Sequence, residues 1–207
     1  MTLTNIVSQM TSFWDGKHET EDISSLTGSS YKDTVDFLNI EEYIKEGITI
    51  LEVGVGLGYT TKQLHDRGIV VSAVDISDIA IDRVRNYCEK VYNINDIHDI
   101  PSDYFDVIIC NQVVQHVDTE TLIHELRHII RALKPNGIMA IQFVSSTSFK
   151  DNGWDASYED SISGRICRTP AYMKLILSLF DATCVWIMNI PVNILFLTGN
   201  HVFHVTK

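Results

Sequence analysis

The chain has 207 residues, 45% hydrophobic and 21% charged, with a formal net charge of −11. That length and composition describe a folded domain with a sizeable core and exclude a disordered chain. The acidic balance repels phosphate backbones, and only scattered pairs such as Arg83 with Arg85 or Arg165 with Arg168 oppose it, so nucleic acid is excluded as the expected partner.

The opening stretch MTLTNIVSQMTSFW has neither a basic n-region nor a long apolar h-region and is not read as a secretory peptide. Cys88, Cys110, Cys167 and Cys184 form no C-x-x-C and are read as reduced thiols of a cytoplasmic protein. Leu3, Ile6, Val7, Met10, Phe13 and Trp14 make a helical stripe that predicts a helix over 3–14, followed by a polar loop over 15–31. A second helix is predicted over 33–45, stopping at Gly47.

From Ile48 the pattern alternates. ITILEV (48–53) reads as a strand, 59–67 as a helix closed by Gly68, and IVVSAVD (69–75) as a strand. Ser77 then caps a helix to about Lys90, and a short strand lies near 91–95. After the loop DIHDIPSD come the strand YFDVIIC (104–110), a helix from Thr119 to Leu133, the turn KPNG and the strand IMAIQFV (138–144). Near-continuous apolar strands alternating with amphipathic helices predict an α/β fold whose parallel sheet is covered on both faces. Residues 145–169 read as a long polar loop, 170–180 as a helix, and 183–190 and 201–206 as strands.

The stretch 182–205 carries no Asp, Glu, Lys or Arg, yet Asn189, Pro191, Asn193, Gly199 and Asn200 punctuate it. It is read as buried strands and not as an integral membrane span, with peripheral membrane contact kept as an alternative. The organisation expected is one domain. It comprises an N-terminal helical cap (1–46), a cofactor-binding core (47–144), a substrate or lid loop (145–169) and C-terminal helix and strands (170–207).

The stretch ILEVGVGLGYTT (50–61) places Gly54, Gly56 and Gly58 at alternate positions directly after the first strand of the alternating unit. An open parallel sheet binds its ligand beyond the carboxyl ends of its strands. Glycines there let a ligand approach the chain, and the following helix adds free N–H groups. The spacing is G-x-G-x-G, with Tyr59 where a dinucleotide fold has its third glycine, which opposes a nicotinamide oxidoreductase. Glu52 is a carboxylate at a buried strand end and needs a donor or cation. Asp75 ends the second strand, placed to accept hydrogen bonds from ribose hydroxyls, or simply to cap the next helix. Asp96 follows the third strand, either at the height of an adenine amino group or as a surface carboxylate.

These blocks, with VSAVDIS, NDIHDIP, YFDVIICNQVVQHV and LRHIIRALKPNGIMAIQF, resemble in order the class I S-adenosylmethionine-dependent methyltransferases. The likeness is nearest the small-molecule, ubiquinone-biosynthesis-like branch and covers roughly 47–144. The resemblance implies a Rossmann-like seven-stranded sheet, mostly parallel, with an antiparallel last strand inserted between the fifth and sixth. It implies S-adenosyl-L-methionine as cofactor and S-adenosyl-L-homocysteine as product. Gly54, Gly56 and Gly58 would lie under the methionine part, with Glu52 ordering the loop. Asp75 would hold the ribose with Ile76 beside the adenine, Asp96 and the Ile97 backbone would contact the adenine, and the Asn111 backbone would face the methionine amine.

Methyl transfer from a sulfonium is an in-line displacement that needs alignment and exclusion of water, without a metal. His116, in VVQHV, falls where the resemblance puts the methyl within reach; it is either a general base for a hydroxyl acceptor or a packing residue. HELRH (124–128) matches the zinc-protease pattern H-E-x-x-H. However, Leu122, Ile123, Leu126, Ile129, Ile130 and Leu133 define the apolar face of that helix and turn His124 and His128 to solvent, so no metal site is expected. The acceptor pocket is assigned to Trp14, His18 and Tyr31 and to Trp154, Tyr158, Arg165 and Arg168. Their mixture of rings and charges suits a polar small molecule or glycan unit, with O-methylation preferred over N- or C-methylation. A binding domain without turnover is the alternative class. A monomer or homodimer is expected.

Overall fold

In a computed structural model the described residues are 3–20, 34–145, 166, 168–190 and 199–207. Seven strands form one sheet: β1 (Thr49–Val53), β2 (Val70–Asp75), β3 (Lys90–Asn93), β4 (Phe105–Cys110), β5 (Leu133–Ser145), β6 (Thr183–Ile190) and β7 (Gly199–Thr206). Their order is β3-β2-β1-β4-β5-β7-β6. β1 to β5 pair in parallel, and β7 runs antiparallel between β5 and β6, the arrangement the resemblance implied. The strand order reverses between β1 and β4, so a crevice opens beyond their carboxyl ends.

The helices are α1 (Leu3–Thr20), α2 (Thr34–Phe37), α3 (Tyr59–Asp66), α4 (Asp78–Val84), α5 (Thr119–Ala132) and α6 (Pro170–Leu177). Strand residues alternate between two cores. Leu51, Val53, Val74, Ile108, Cys110, Met139 and Ile141 face α5 and α6, where Leu122, Leu126, Ile129, Met173 and Leu177 meet them. Ile50, Val71, Val107, Ile109 and Ala140 face α2 and α3 through Val35, Leu38 and Leu64. Both faces are thus covered, which is why these strands are apolar throughout. At the edge remote from the crevice, the Asp106 carboxylate accepts from Thr49 N at 2.9 Å and from Lys134 Nζ at 2.8 Å, tying β1, β4 and β5 together. No helix among the described residues is long and apolar enough to cross a membrane.

Four elements differ from expectation. The first helix continues to Thr20 instead of ending at Trp14, because its polar end is held from outside. Ser77 Oγ donates to Asp15 at 2.6 Å, and the Arg83 guanidinium donates to the His18 carbonyl. The helix predicted over 33–45 is only α2, followed by a 3₁₀ turn at Glu41–Tyr43. Asn39 adopts φ +54 and closes α2, with Ile40 N bonded to Val35 O and Asn39 N to Asp36 O, a Schellman stop with its apolar pair Val35 and Ile40 buried together. The helix expected to reach Lys90 ends at Val84, since Glu89 N bonds Val71 O at 2.8 Å and the chain must already be extended to enter β3. The KPNG turn is a bulge within β5, with Asn136 at φ +65.

Candidate active site

A cavity of about 290 Å³ lies beyond the carboxyl ends of β1, β2, β3 and β4. Glu52, Gly54, Gly56, Asp75, Ile76, Asn111, His116, Trp14 and His18 all line it, so residues spread from 14 to 116 converge there. The loop after β1 is built on positive φ at Gly54, Gly56 and Gly58, but the three glycines do different things. A Cβ on Gly54 would stand 2.2 Å from Val113 Cγ2, and one on Gly58 would stand 2.6 Å from Val84 Cγ1, so both are bare because protein packs there. Of the three, only Gly56 has open space where a Cβ would stand, the nearest neighbour being His18 Nε2 at 3.9 Å. Gly58 does not line the cavity; it begins α3 in the left-handed region.

Asp75 is held rigidly, its two oxygens accepting from Gly56 N at 3.1 Å and Ser77 N at 2.9 Å. Burial pushes its carboxyl above the ordinary value, against the pull of the Ser77 and Gly56 N–H groups and the His18 imidazole. Ser77 caps α4 as expected, through its hydroxyl and Ala80 N, while Asp75 fixes the loop and Ser77 together. Glu52 finds the donor its position demanded: Thr61 Oγ1 donates to it at 2.5 Å from the first turn of α3. Thr60, next to it, donates to Thr34 at 2.9 Å and brings α2 to the cavity rim. Asn111 contributes an orphaned acceptor on the cavity wall, since its Oδ1 is buried and accepts no hydrogen bond from the described residues. The next residue, Gln112, sits at φ +59, and its N–H donates to Gln142 Oε1 at 2.7 Å.

Above this floor lies α1. The Trp14 ring is stacked on His18 (centroids 5.8 Å apart) and edge-on to His116 (4.8 Å), so the cap and the loop after β4 meet across the cavity. Asp96 is not brought to the wall. The 3₁₀ segment Ile94–Asp99 turns Ile97 into the core and leaves Asp96 exposed, and Ile94 lines the cavity instead. Tyr31, Trp154, Tyr158 and Arg165 lie outside the described residues. Arg168 is not an acceptor-pocket charge: it is 1% exposed, with its guanidinium bonded to the carbonyls of Val114 and Val117, each at 2.6 Å.

His124 is exposed and His128 partly so, as the helix face required, and no metal-holding cluster occurs among the described residues. Between them Glu125 points inward and reaches the cavity, a residue the sequence reading passed over. Its spacing from Leu122 and Ile129 was the available signal.

Glu52 and Glu125 are both raised to about 8, Glu52 by burial and then the Asp75 charge, Glu125 by burial and then Asp118. An unfolded chain releases these protons near the ordinary value of 4.5, whereas the fold keeps them. Stability of the ligand-free protein is therefore expected to fall as pH rises from about 4.5 to about 8 and to level off above that. Glu125→Gln removes one such group. Its Tm advantage over the wild type should grow across that window, and thermal melts giving a pH-independent difference would contradict the assignment.

The family model for methyltransferase domains matches residues 27–182. The chain belongs to that family. This is the S-adenosylmethionine-dependent methyltransferase class that its motifs resemble. The domain is 32% identical over 109 residues to a ubiquinone biosynthesis O-methyltransferase of Coxiella burnetii, covering 46% of this chain and 45% of that protein. It is 28% identical over 129 residues to phosphoethanolamine N-methyltransferase 2 of Caenorhabditis elegans, covering 58% of this chain and 29% of that one. The chain thus spans less than half the length of these relatives. The DhpI–SAH complex shares the methyltransferase fold over 100% of this chain and 98% of its own, at a TM-score of 0.66 and 19% identity.

Proposed function

We propose that this methyltransferase domain moves a methyl group from S-adenosyl-L-methionine to a small-molecule or glycan-unit acceptor, preferentially to oxygen. The observation that carries the cofactor assignment is the cavity side of Gly56. A backbone without a side chain faces open space there, beside a carboxylate pre-bonded to that same residue's N–H. Asp75 would hold the ribose hydroxyls, which is a role for a rigid acceptor buried to 6% exposure. The orphaned Asn111 Oδ1 would accept from the amino group of the methionine part, with Glu52 keeping the loop in place from below.

When bound, the cofactor supplies a methyl carbon already activated by positive sulfur. What the chain then contributes is alignment and dryness. The Trp14 and Met10 side chains close the cavity from α1, and the Arg168 bonds hold the loop carrying His116. For a hydroxyl acceptor, His116 takes the proton as the oxygen attacks, an ordinary task for an imidazole near neutral pH. An amine acceptor would reach the site deprotonated and leave His116 without that work. Substitution of His116 therefore distinguishes the two acceptor chemistries.

Calorimetry with S-adenosylhomocysteine and transfer of labelled methyl into a metabolite extract test the proposal, and absence of both binding and transfer would refute it. His116→Ala is expected to leave cofactor affinity within a few-fold and to lower turnover by about 100-fold, the scale of general-base catalysis. Unchanged turnover would remove the base and turn the preference from oxygen to nitrogen.

A further inference from the structure

The cavity is lined by both polar and apolar side chains. Asn111, Gln112, Glu52 and Thr60 gather polar groups around the ends of β1 and β4. Its apolar lining is Val53, Val74, Ile76, Ile94, Val113 and Val117, among others. Val53, Val74 and Val117 belong to the core cluster that also contains Leu122 and Leu126, and Ile76, Ile94 and Val113 pack against it. Leu122 and Leu126 flank Glu125 on α5, so this carboxyl enters the cavity from within the apolar wall. It is 9% exposed and takes no hydrogen bond from any described residue. A buried carboxyl left in that condition is costly unless something in the cavity completes it.

Largely apolar lining with a few placed polar groups fits a flat heteroaromatic ring. Asp75 fixes where a ribose would sit, and the apolar wall begins at the adjoining residues Val74 and Ile76. Asp96 is turned to solvent. We propose that Glu125 is the residue through which this domain reads the base of its cofactor, its carboxyl giving one hydrogen bond to a ring nitrogen of adenine and accepting one from the neighbouring amino group. Burial keeps the acid protonated at neutral pH, its value raised to about 8, so a donor and an acceptor are present together. No proton is transferred and no bond changes; the contact is recognition alone. The inference rests on the cofactor assignment made above, and it places the specificity for the base on α5, a helix outside the strand-end loops.

The test is calorimetry at pH 7 with S-adenosylhomocysteine and two of its analogues, one with CH in place of N1 and one with CH in place of N7. The wild type is expected to bind one of the two analogues roughly tenfold more weakly than the parent, the scale of a lost hydrogen bond. Glu125→Gln, whose amide keeps a donor and an acceptor, should preserve that ratio, and Glu125→Leu should bring it near unity. Circular dichroism melts establish that both variants are folded. Parent and analogues binding with equal affinity to the wild type, or Glu125→Leu retaining the wild-type ratio, overturns the role of Glu125 while leaving the cofactor assignment intact. A wild-type protein that binds none of the three overturns the assignment itself. A Glu125→Leu protein with normal ligand ratios but an altered acceptor KM would instead make Glu125 an acceptor contact and likewise end this proposal.

Discussion

Gly56→Arg is expected to abolish measurable S-adenosylhomocysteine binding while the protein stays folded. The backbone at Gly56 has φ +51, which a side-chain-bearing residue tolerates at a strain of about 1–2 kcal/mol. Its Cβ would point into open space, the nearest atom being 3.9 Å away, so the core is not disturbed. The new side chain would start beside Asp75, whose Oδ2 is 3.1 Å from the Gly56 nitrogen. A guanidinium there can pair with that carboxylate and fill much of a cavity of about 290 Å³. An affinity loss of at least ~100-fold follows, about 2.7 kcal/mol, with Tm lowered by no more than a few degrees. Gly54→Ala should behave in the opposite way. A methyl 2.2 Å from Val113 Cγ2 must push the loop after β4, so the Tm falls together with binding. Calorimetry and thermal melts on the two variants separate a ligand-facing glycine from a packing one. Wild-type affinity in Gly56→Arg would sink the cofactor site.

The alternating core was legible because its signals are local. The strands read as apolar runs, glycines mark the bends after β1 and α3, and a carboxylate stands at the end of β2, all within a few residues of the element they define. The position of β7 between β5 and β6 is a different matter, since nothing in its own residues says which edge it enters; only the family resemblance supplied it. The errors fall where distant contacts or a single backbone angle decide. The polar end of α1 stays helical because Ser77 and Arg83 hold it, and those partners lie more than 60 residues away. The stop at Asn39 is one residue in the left-handed region, inside a stretch whose spacing otherwise continues as helix. At the site, alternate glycines announced a bend but not that only the middle one has room for a side chain, because Val113 and Val84 come from other elements. Glu125 was hidden by its neighbours: the outward histidines answered the metal question, and the same rotation that turns them out turns Glu125 in.

Arg168→Met is expected to be strongly destabilising and to reach the chemistry through His116. The Arg168 guanidinium donates to the carbonyls of Val114 and Val117 at 2.6 Å and to Thr119 Oγ1 at 3.2 Å. The two carbonyls bracket the 3₁₀ turn Val114–His116, and Thr119 opens α5. Two backbone bonds brace the same place: Ile166 N to Gln115 O at 2.5 Å and Arg168 N to Val144 O at 3.2 Å. These contacts fasten the start of the C-terminal part to the loop that holds the candidate base. Methionine keeps much of the volume but leaves buried carbonyls without donors, a loss of about 3 kcal/mol or roughly 6–12 °C in Tm for a domain of this size. Arg168→Lys should recover only part, because one ammonium cannot reproduce a fork that reaches both carbonyls. Asp75 and Gly56 are anchored independently of this turn, so S-adenosylhomocysteine affinity should fall much less than turnover does. Denaturant melts showing less than about 0.5 kcal/mol of destabilisation in Arg168→Met would mean that the loop holds itself, an outcome within the range of an ordinary surface change. Equal losses in affinity and turnover would instead show that the turn and the cofactor floor move as one piece.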